Sequence, residues 1–208
     1  MCSYRKTFLV ALALTSIESG VAMADADEMV VTVGAIAGNA RTTDRLVNST
    51  QNAGFLGGAG SISYATRDWF RYEVSLGFSA TEEATVEDVN VDGVVRDLKR
   101  AETSVRALAG VTGTFGIRWI PTLTLMSGVL WRRPNGTRLV ELGFEVGPGP
   151  GNGRDNFDVI VGVGAGLTRR FGRRWALGVN ILGVIEPVAS DRYQSIEGSF
   201  SLGYHFYP

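Results

Sequence analysis

The chain has 208 residues, of which 45% are hydrophobic and 27 are glycine. Its 20 basic side chains nearly balance its 21 acidic ones, which excludes the strongly basic surface typical of nucleic-acid binding. The length allows one domain or a small barrel. The chain contains no apolar run long enough for a membrane-spanning helix.

The chain begins with the three parts of an export signal. Arg5 and Lys6 supply the positive charge, residues 8–14 form an apolar run, and residues 22–24 offer a cleavage site of small side chains. The sequence therefore predicts a signal peptide at residues 1–24 and a single domain at residues 25–208. Because Cys2 lies in the removed segment, no cysteine would remain for a disulfide, a thiol nucleophile or a metal site.

Alternating polarity then recurs about eight times. In the last segment, Phe200, Leu202 and Phe206 share one parity, whereas Ser201 and His205 share the other. A strand places successive side chains on opposite faces, so each segment has one apolar face and one small or polar face. Each is about as long as a membrane-crossing strand requires, or slightly longer. The predicted strands lie at residues 28–40, 53–66, 69–82, 101–117, 120–133, 156–169, 175–187 and 193–206.

The connections between these strands alternate between tight and long. Tight turns are predicted at residues 67–68, 118–121 and 171–174. The longer polar connections lie at residues 39–52, 81–100, 134–156 and 189–192. This places both termini on the tight-turn side, as in outer-membrane barrels with short periplasmic turns and longer extracellular loops. The even strand count favours closure.

Aromatic residues mark the ends of the predicted strands. Trp69, Trp119, Trp175 and Phe206 lie at the tight-turn end, and Trp131 and Tyr193 lie at the opposite end. Amphipathic rings prefer the headgroup level of a bilayer, so these six residues predict two aromatic belts. The alternative interpretation is a set of aromatic plugs at the ends of a soluble barrel.

With its export signal and its aromatic C-terminal strand, the chain resembles the eight-stranded outer-membrane β-barrels typified by the OmpA transmembrane domain and the OmpX/Ail-like proteins. The resemblance covers residues 25–208 and rests on pattern and topology. It implies an all-β fold, an eight-stranded antiparallel up-and-down transmembrane barrel, in the bacterial outer membrane. Such proteins usually end on the aromatic residue itself, whereas Tyr207 and Pro208 follow Phe206 here.

Two of the long connections contain strand-like sequence. Asp92 and Gly93 stand between β-branched residues, which predicts a hairpin tip above the third and fourth barrel strands. Residues 138–146 alternate in polarity but would make the strand count odd if they crossed the membrane, so we place them outside it. A protruding edge of this kind can bind another chain by strand addition; the alternative is an ordinary solvated loop.

Charged side chains at inward parity predict an ion network in the lumen. Toward the outer end these residues are Arg106, Arg132, Asp158, Glu186 and Glu197, and toward the periplasmic end they are Arg71, Glu73, Arg118 and His205. Such a network either lines an ion or solute path or replaces an apolar core with pairs of arginine and carboxylate. Because eight strands leave an interior that side chains just fill, we favour the structural interpretation.

No catalytic, cofactor-binding or metal-binding constellation stands out. His205 is the only histidine and is predicted to face the lumen, away from any acyl chain, and no helix follows the glycine-rich stretches. We therefore predict a monomeric structural or surface-interaction protein, for adhesion or resistance, without a cofactor. Its expected partners are outer-membrane lipid, lipopolysaccharide and a protein at the loops, and no nucleic acid. The alternatives are a small channel or solute-specific porin, a periplasmic lipocalin-like binding barrel and a lipid A-modifying enzyme.

Overall fold

The computed structural model describes residues 27–44, 49–91, 93–116, 118–149, 155–187 and 193–207, so the predicted signal peptide lies outside the described residues. In these ranges no helix is long and apolar enough to cross a membrane. The strands are β1 (Met29–Asp44), β2 (Ser49–Arg67), β3 (Phe70–Thr81), β4 (Ala84–Val91), β5 (Val94–Thr114), β6 (Trp119–Glu141), β7 (Phe144–Pro148), β8 (Asn156–Phe171), β9 (Trp175–Ile185) and β10 (Tyr193–Phe206).

Eight of these strands close into an antiparallel barrel. Their order around the ring is β1, β2, β3, β5, β6, β8, β9 and β10, and the pairing of β10 with β1 brings the first and last strands together. Met29 lies opposite Phe206, and the ring is completed on the far side by β5 and β6. Closure leaves no unpaired edge in the barrel wall. The predicted fold class is therefore confirmed.

The outward face of the barrel is apolar on every strand. A soluble barrel would hide such side chains, whereas a membrane barrel presents them to lipid. The exposed residues include Val33, Leu56, Ile62, Val74, Leu76, Phe78, Val105, Leu123, Leu125, Val129, Val159, Val163, Val179, Ile181, Ile196, Phe200 and Leu202. This band argues against the lipocalin-like alternative.

Beyond the barrel, the long strands β5 and β6 continue on the long-loop side and carry β4 and β7 on their flanks. We call this the outer sheet; it comprises β4, residues 94–103 of β5, residues 133–141 of β6, and β7. Its small apolar core contains Val86, Val89, Val91, Leu98 and Leu139. Leu98 pairs with Leu139 across the two central strands, so the outer sheet has packing of its own outside the membrane.

Two predicted connections differ from the structure. The tight turn between β5 and β6 precedes Trp119, because β6 already begins there, so the predicted turn at residues 118–121 is placed too late. Residues 138–146 are a hairpin rather than one continuous strand. Leu142 and Gly143 have φ values of 52° and 88°, and two successive left-handed residues reverse the chain between β6 and β7.

The first predicted long loop, at residues 39–52, is mostly paired strand. Thr42 of β1 lies opposite Gln51 of β2, so the two strands continue well beyond the predicted boundaries. The hairpin between β4 and β5 agrees with the sequence: Val91 pairs with Val94, so the chain reverses between these two residues. Asp92 itself lies outside the described residues.

Candidate functional site

At the tight-turn end of the lumen, one buried carboxylate ties three strands together. Glu28 precedes β1, outside the membrane-spanning strands, and is 0% exposed. Its oxygens accept hydrogen bonds from Arg71 of β3 at 2.5 Å and from Arg170 of β8 at 2.7 Å, and the Nδ1 atom of His205 of β10 lies 2.5 Å away. We call these four residues the Glu28 cluster.

The electrostatic environment favours a charged Glu28. Burial alone would raise the pKa of this carboxyl, but the hydrogen bond with His205 and the positive charges around it, led by Arg71, lower the pKa to about 2. The sequence pattern predicted Arg71 and His205 as lumen residues but did not indicate Glu28 and Arg170. Both residues have inward parity: Arg170 lies one residue beyond the predicted strand at 156–169, whereas Glu28 lies within the first predicted strand, whose mixed polarity hides its facing.

Midway along the lumen, Arg106 of β5 and Glu197 of β10 form a bidentate ion pair. The Nη2 atom of Arg106 lies 2.5 Å from Oε1 of Glu197, and its Nη1 atom donates to Oε2. Glu197 is 3% exposed, so the pair crosses the interior away from bulk water. A Cβ atom on Gly77 would lie 2.8 Å from Nε of Arg106, so glycine at this position leaves room for the guanidinium.

Toward the outer end, a second charged group lies above this pair. Arg132 contacts Asp158 at 2.7 Å and Glu102 at 3.7 Å, and Arg100 pairs with the same Glu102. The guanidinium of Arg132 also lies 5.3 Å from the centre of the Tyr193 ring. The structure thus brings Arg132 and Asp158 together, and adds Arg100 and Glu102, which sequence analysis did not single out.

The structural interpretation of the sequence expected ion pairs in place of an apolar core. The structure contains both ion pairs and an apolar core. Apolar side chains at inward positions pack together inside the barrel, because eight strands leave an interior that side chains can fill. This apolar cluster consists of Ile36, Ala40, Phe55, Leu108, Met126, Leu130, Ile160, Val184 and Tyr193. The lumen therefore contains packed apolar side chains as well as charged pairs.

Within the lumen lies a cavity of about 190 Å³. Arg71 and His205 of the Glu28 cluster and both members of the Arg106–Glu197 pair contribute to its wall, together with hydroxyl groups such as that of Thr112. The Thr112 hydroxyl donates a hydrogen bond to Glu73 at 2.8 Å. Glu73, another residue predicted to face the lumen, also lines the cavity. The cavity can hold several water molecules, but charged side chains occupy the lumen around it.

Three predicted positions need correction or refinement. Arg118 is exposed in the turn before β6 and does not enter the lumen, because the strand parity does not extend into the turn. Tyr193 is 8% exposed and faces the lumen, so it does not belong to an aromatic belt. Glu186 follows β9, and its Oε2 atom accepts a hydrogen bond from the backbone N–H of Tyr193 at 3.3 Å.

The belt at the tight-turn end has the expected exposure. Trp69, Trp119, Trp175 and Phe206 are each between 44% and 54% exposed. Trp131, at the opposite end, is half-buried at an outward position. Four exposed aromatic side chains therefore lie at the tight-turn end, where the sequence predicts one belt, whereas at the outer end only Trp131 of the two predicted residues faces outward.

The outer sheet presents apolar side chains at its tip. Leu142 is 94% exposed and Phe144 is 76% exposed, and Val146 follows on β7. Among the described strands β7 pairs only with β6, so its other edge has no strand partner there. Arg138 pairs with Glu145 and holds β7 against β6.

No protein-family model and no curated protein matches the sequence. Among solved structures, Ail, the attachment invasion locus protein of Yersinia pestis in complex with the heparin analogue sucrose octasulfate, aligns with a TM-score of 0.51 at 10% identity, covering 87% of this chain and 99% of that one. The chain has the fold of an eight-stranded outer-membrane β-barrel.

Two further structures align with lower scores. Neisserial surface protein A aligns with a TM-score of 0.48 at 14% identity, covering 85% of this chain and 97% of that one. OprG from Pseudomonas aeruginosa aligns with a TM-score of 0.47 at 12% identity, covering 91% of this chain and 100% of that one. The barrel fold and the apolar band together place the protein in a bacterial outer membrane.

Proposed function

We propose that the protein is a non-catalytic surface-interaction protein of the outer membrane, which binds an extended segment of another protein along β7. The observation that carries this proposal is the outer sheet, whose β7 edge has no strand partner among the described residues. An unpaired edge offers a row of backbone donors and acceptors that an extended peptide can complete.

The side chains of β7 fit this role. Strand addition obtains affinity from the main chain and specificity from alternate side chains. Phe144 and Val146 are exposed on the same strand, with Leu142 at the adjoining turn. The small apolar core that contains Leu98 and Leu139 stabilises the outer sheet. The β7 edge is therefore held outside the barrel wall.

The filled lumen favours this function over the channel or porin alternative. A conducting pore needs a continuous polar path, whereas here ion pairs and the apolar cluster occupy the interior. The cavity of about 190 Å³ is the observation that keeps a small channel as the second candidate.

The proposal is tested by panning a library of extended ten-residue peptides against the folded protein in detergent. Binding peptides should carry alternating apolar side chains and should slow hydrogen exchange of the backbone amides of β7. Replacing Val146 with Asp should weaken the binding, because it adds a desolvated charge to the recognised edge.

The matched control is Val95→Asp, since Val95 is similarly exposed on the outer sheet but lies on β5 rather than at the β7 edge. This variant should bind the selected peptides as the parent does. Protection of amides outside β7, or equal loss of binding in both variants, would contradict the proposed edge. Failure to enrich any peptide would leave no support for strand addition.

A further inference from the structure

Four exposed arginines lie on neighbouring turns at the tight-turn end of the barrel. Arg118 belongs to the turn before β6, Arg169 to the end of β8, and Arg173 and Arg174 to the turn between β8 and β9. The turns are adjacent because β6 pairs with β8: the N–H of Arg170 donates to the carbonyl oxygen of Arg118 at 3.1 Å. We call Arg118, Arg169, Arg173 and Arg174 the arginine patch.

Aromatic side chains at the tight-turn end contact two members of the patch. The guanidinium of Arg169 lies 4.9 Å from the ring centre of Trp119 and 5.2 Å from that of Phe171. The Nη1 atom of Arg174 donates to the hydroxyl of Tyr204 at 3.1 Å. Because Trp and Tyr rings prefer the headgroup level of a bilayer, we expect the positive charges of the patch at the depth of lipid phosphates.

The electrostatic surroundings of the patch differ from those of the lumen arginines. Within the ranges that the structure describes, none of its four arginines pairs with a carboxylate. The inward-facing neighbour Arg170 pairs with Glu28, so the unpaired charges are those on the outside. Unneutralised guanidinium groups favour a phosphate, which they bind through forked N–H donors.

We propose that the arginine patch binds the phosphate of an anionic phospholipid in the periplasmic leaflet of the outer membrane. The acyl chains of this lipid lie along the outward apolar surface beside Arg169. Leu177 pairs with Arg169 across β8 and β9, and Leu167 lies two residues from Arg169 on the same face. Headgroup and chain contacts thus meet at one place on the barrel.

The test is native mass spectrometry of the folded protein taken from mixed micelles of phosphatidylglycerol and phosphatidylcholine. The unmodified protein should retain phosphatidylglycerol preferentially, and high salt should abolish the preference because phosphate contacts are electrostatic. Replacing Arg118 and Arg173 with Gln should lower the preference roughly 30-fold, since each basic residue near a membrane surface contributes about 1 kcal/mol and about 1.4 kcal/mol corresponds to a factor of ten. These two positions leave the aromatic contacts of Arg169 and Arg174 intact.

The matched control replaces Arg41 and Arg133 with Gln, because both are exposed on outward positions at the other end of the barrel. This variant should keep the preference. An unmodified protein without preference, or an equal loss in both double variants, would overturn the proposal. Displacement of the lipid by inorganic phosphate at constant ionic strength would also overturn it, since it would indicate a site for free anions. The salt dependence of the unmodified protein tests the proposal even if a variant fails to fold.

Discussion

Breaking the Arg106–Glu197 pair should destabilise the barrel more than breaking an exposed pair. Changing Glu197 to Ala leaves the guanidinium of Arg106 inside the lumen, where its side chain is 13% exposed. Removing one partner of a buried pair costs about 3 to 5 kcal/mol. Because the adjoining cavity admits water to Arg106, we expect a loss of about 2 to 4 kcal/mol. Urea unfolding in lipid vesicles, followed by heat-modifiable gel mobility, measures this loss.

The control for this prediction is Glu145→Ala, which breaks the exposed pair of Glu145 with Arg138 on the outer sheet. Solvent screens that pair, so the variant should unfold almost as the parent does. Replacing Arg106 with Met and Glu197 with Leu together should recover much of the lost stability, because no charge then remains unpaired. Equal destabilisation by the two single alanine variants would refute the role of a stranded buried charge.

Three further results are expected. Leu202→Arg should cost about 2 to 4 kcal/mol of folding in lipid, because Leu202 faces the bilayer, whereas Val95→Arg on the outer sheet should be neutral in the same urea assay. Deleting residues 88–95 should leave heat-modifiable mobility unchanged, since β4 and this part of β5 belong to the outer sheet and not to the barrel ring; loss of folding would assign them to the barrel wall. The lowered pKa of Glu28 means that its charged form stabilises the fold above about pH 4.5 and that this contribution is lost as the pH falls toward 2. Stability measured across that range should therefore depend less on pH in Glu28→Gln, and an unchanged dependence would exclude Glu28 as its source.

Much of the barrel could be predicted from the sequence because each strand has a period of two and the tight and long connections alternate. The hairpin after β6 was harder to recognise, since the alternation of Val140 and Phe144 continues through the turn at Leu142 and Gly143. The backbone angles and the pairing of Glu141 with Phe144 show that the chain reverses there.

The lumen could be predicted less fully, because inward positions are not uniformly polar. The sequence pattern predicted a polar lumen, whereas Leu108, Leu130 and Ile160 point inward and pack together. Glu28 was missed because the first strand is mixed in polarity, so its facing could not be read from the pattern. The pairing of Arg106 with Glu197 also requires the closed ring, since β5 and β10 are not neighbours in it.

The conductance of the protein in planar lipid bilayers tests most directly the claim that this barrel presents a binding surface and does not transport solutes. The ion pairs and the apolar cluster leave little continuous water in the lumen, so the unmodified protein should conduct very little. Glu197→Ala should raise the conductance only modestly as the interior loosens. Large, steady channels from the unmodified protein would contradict the account and favour the porin alternative.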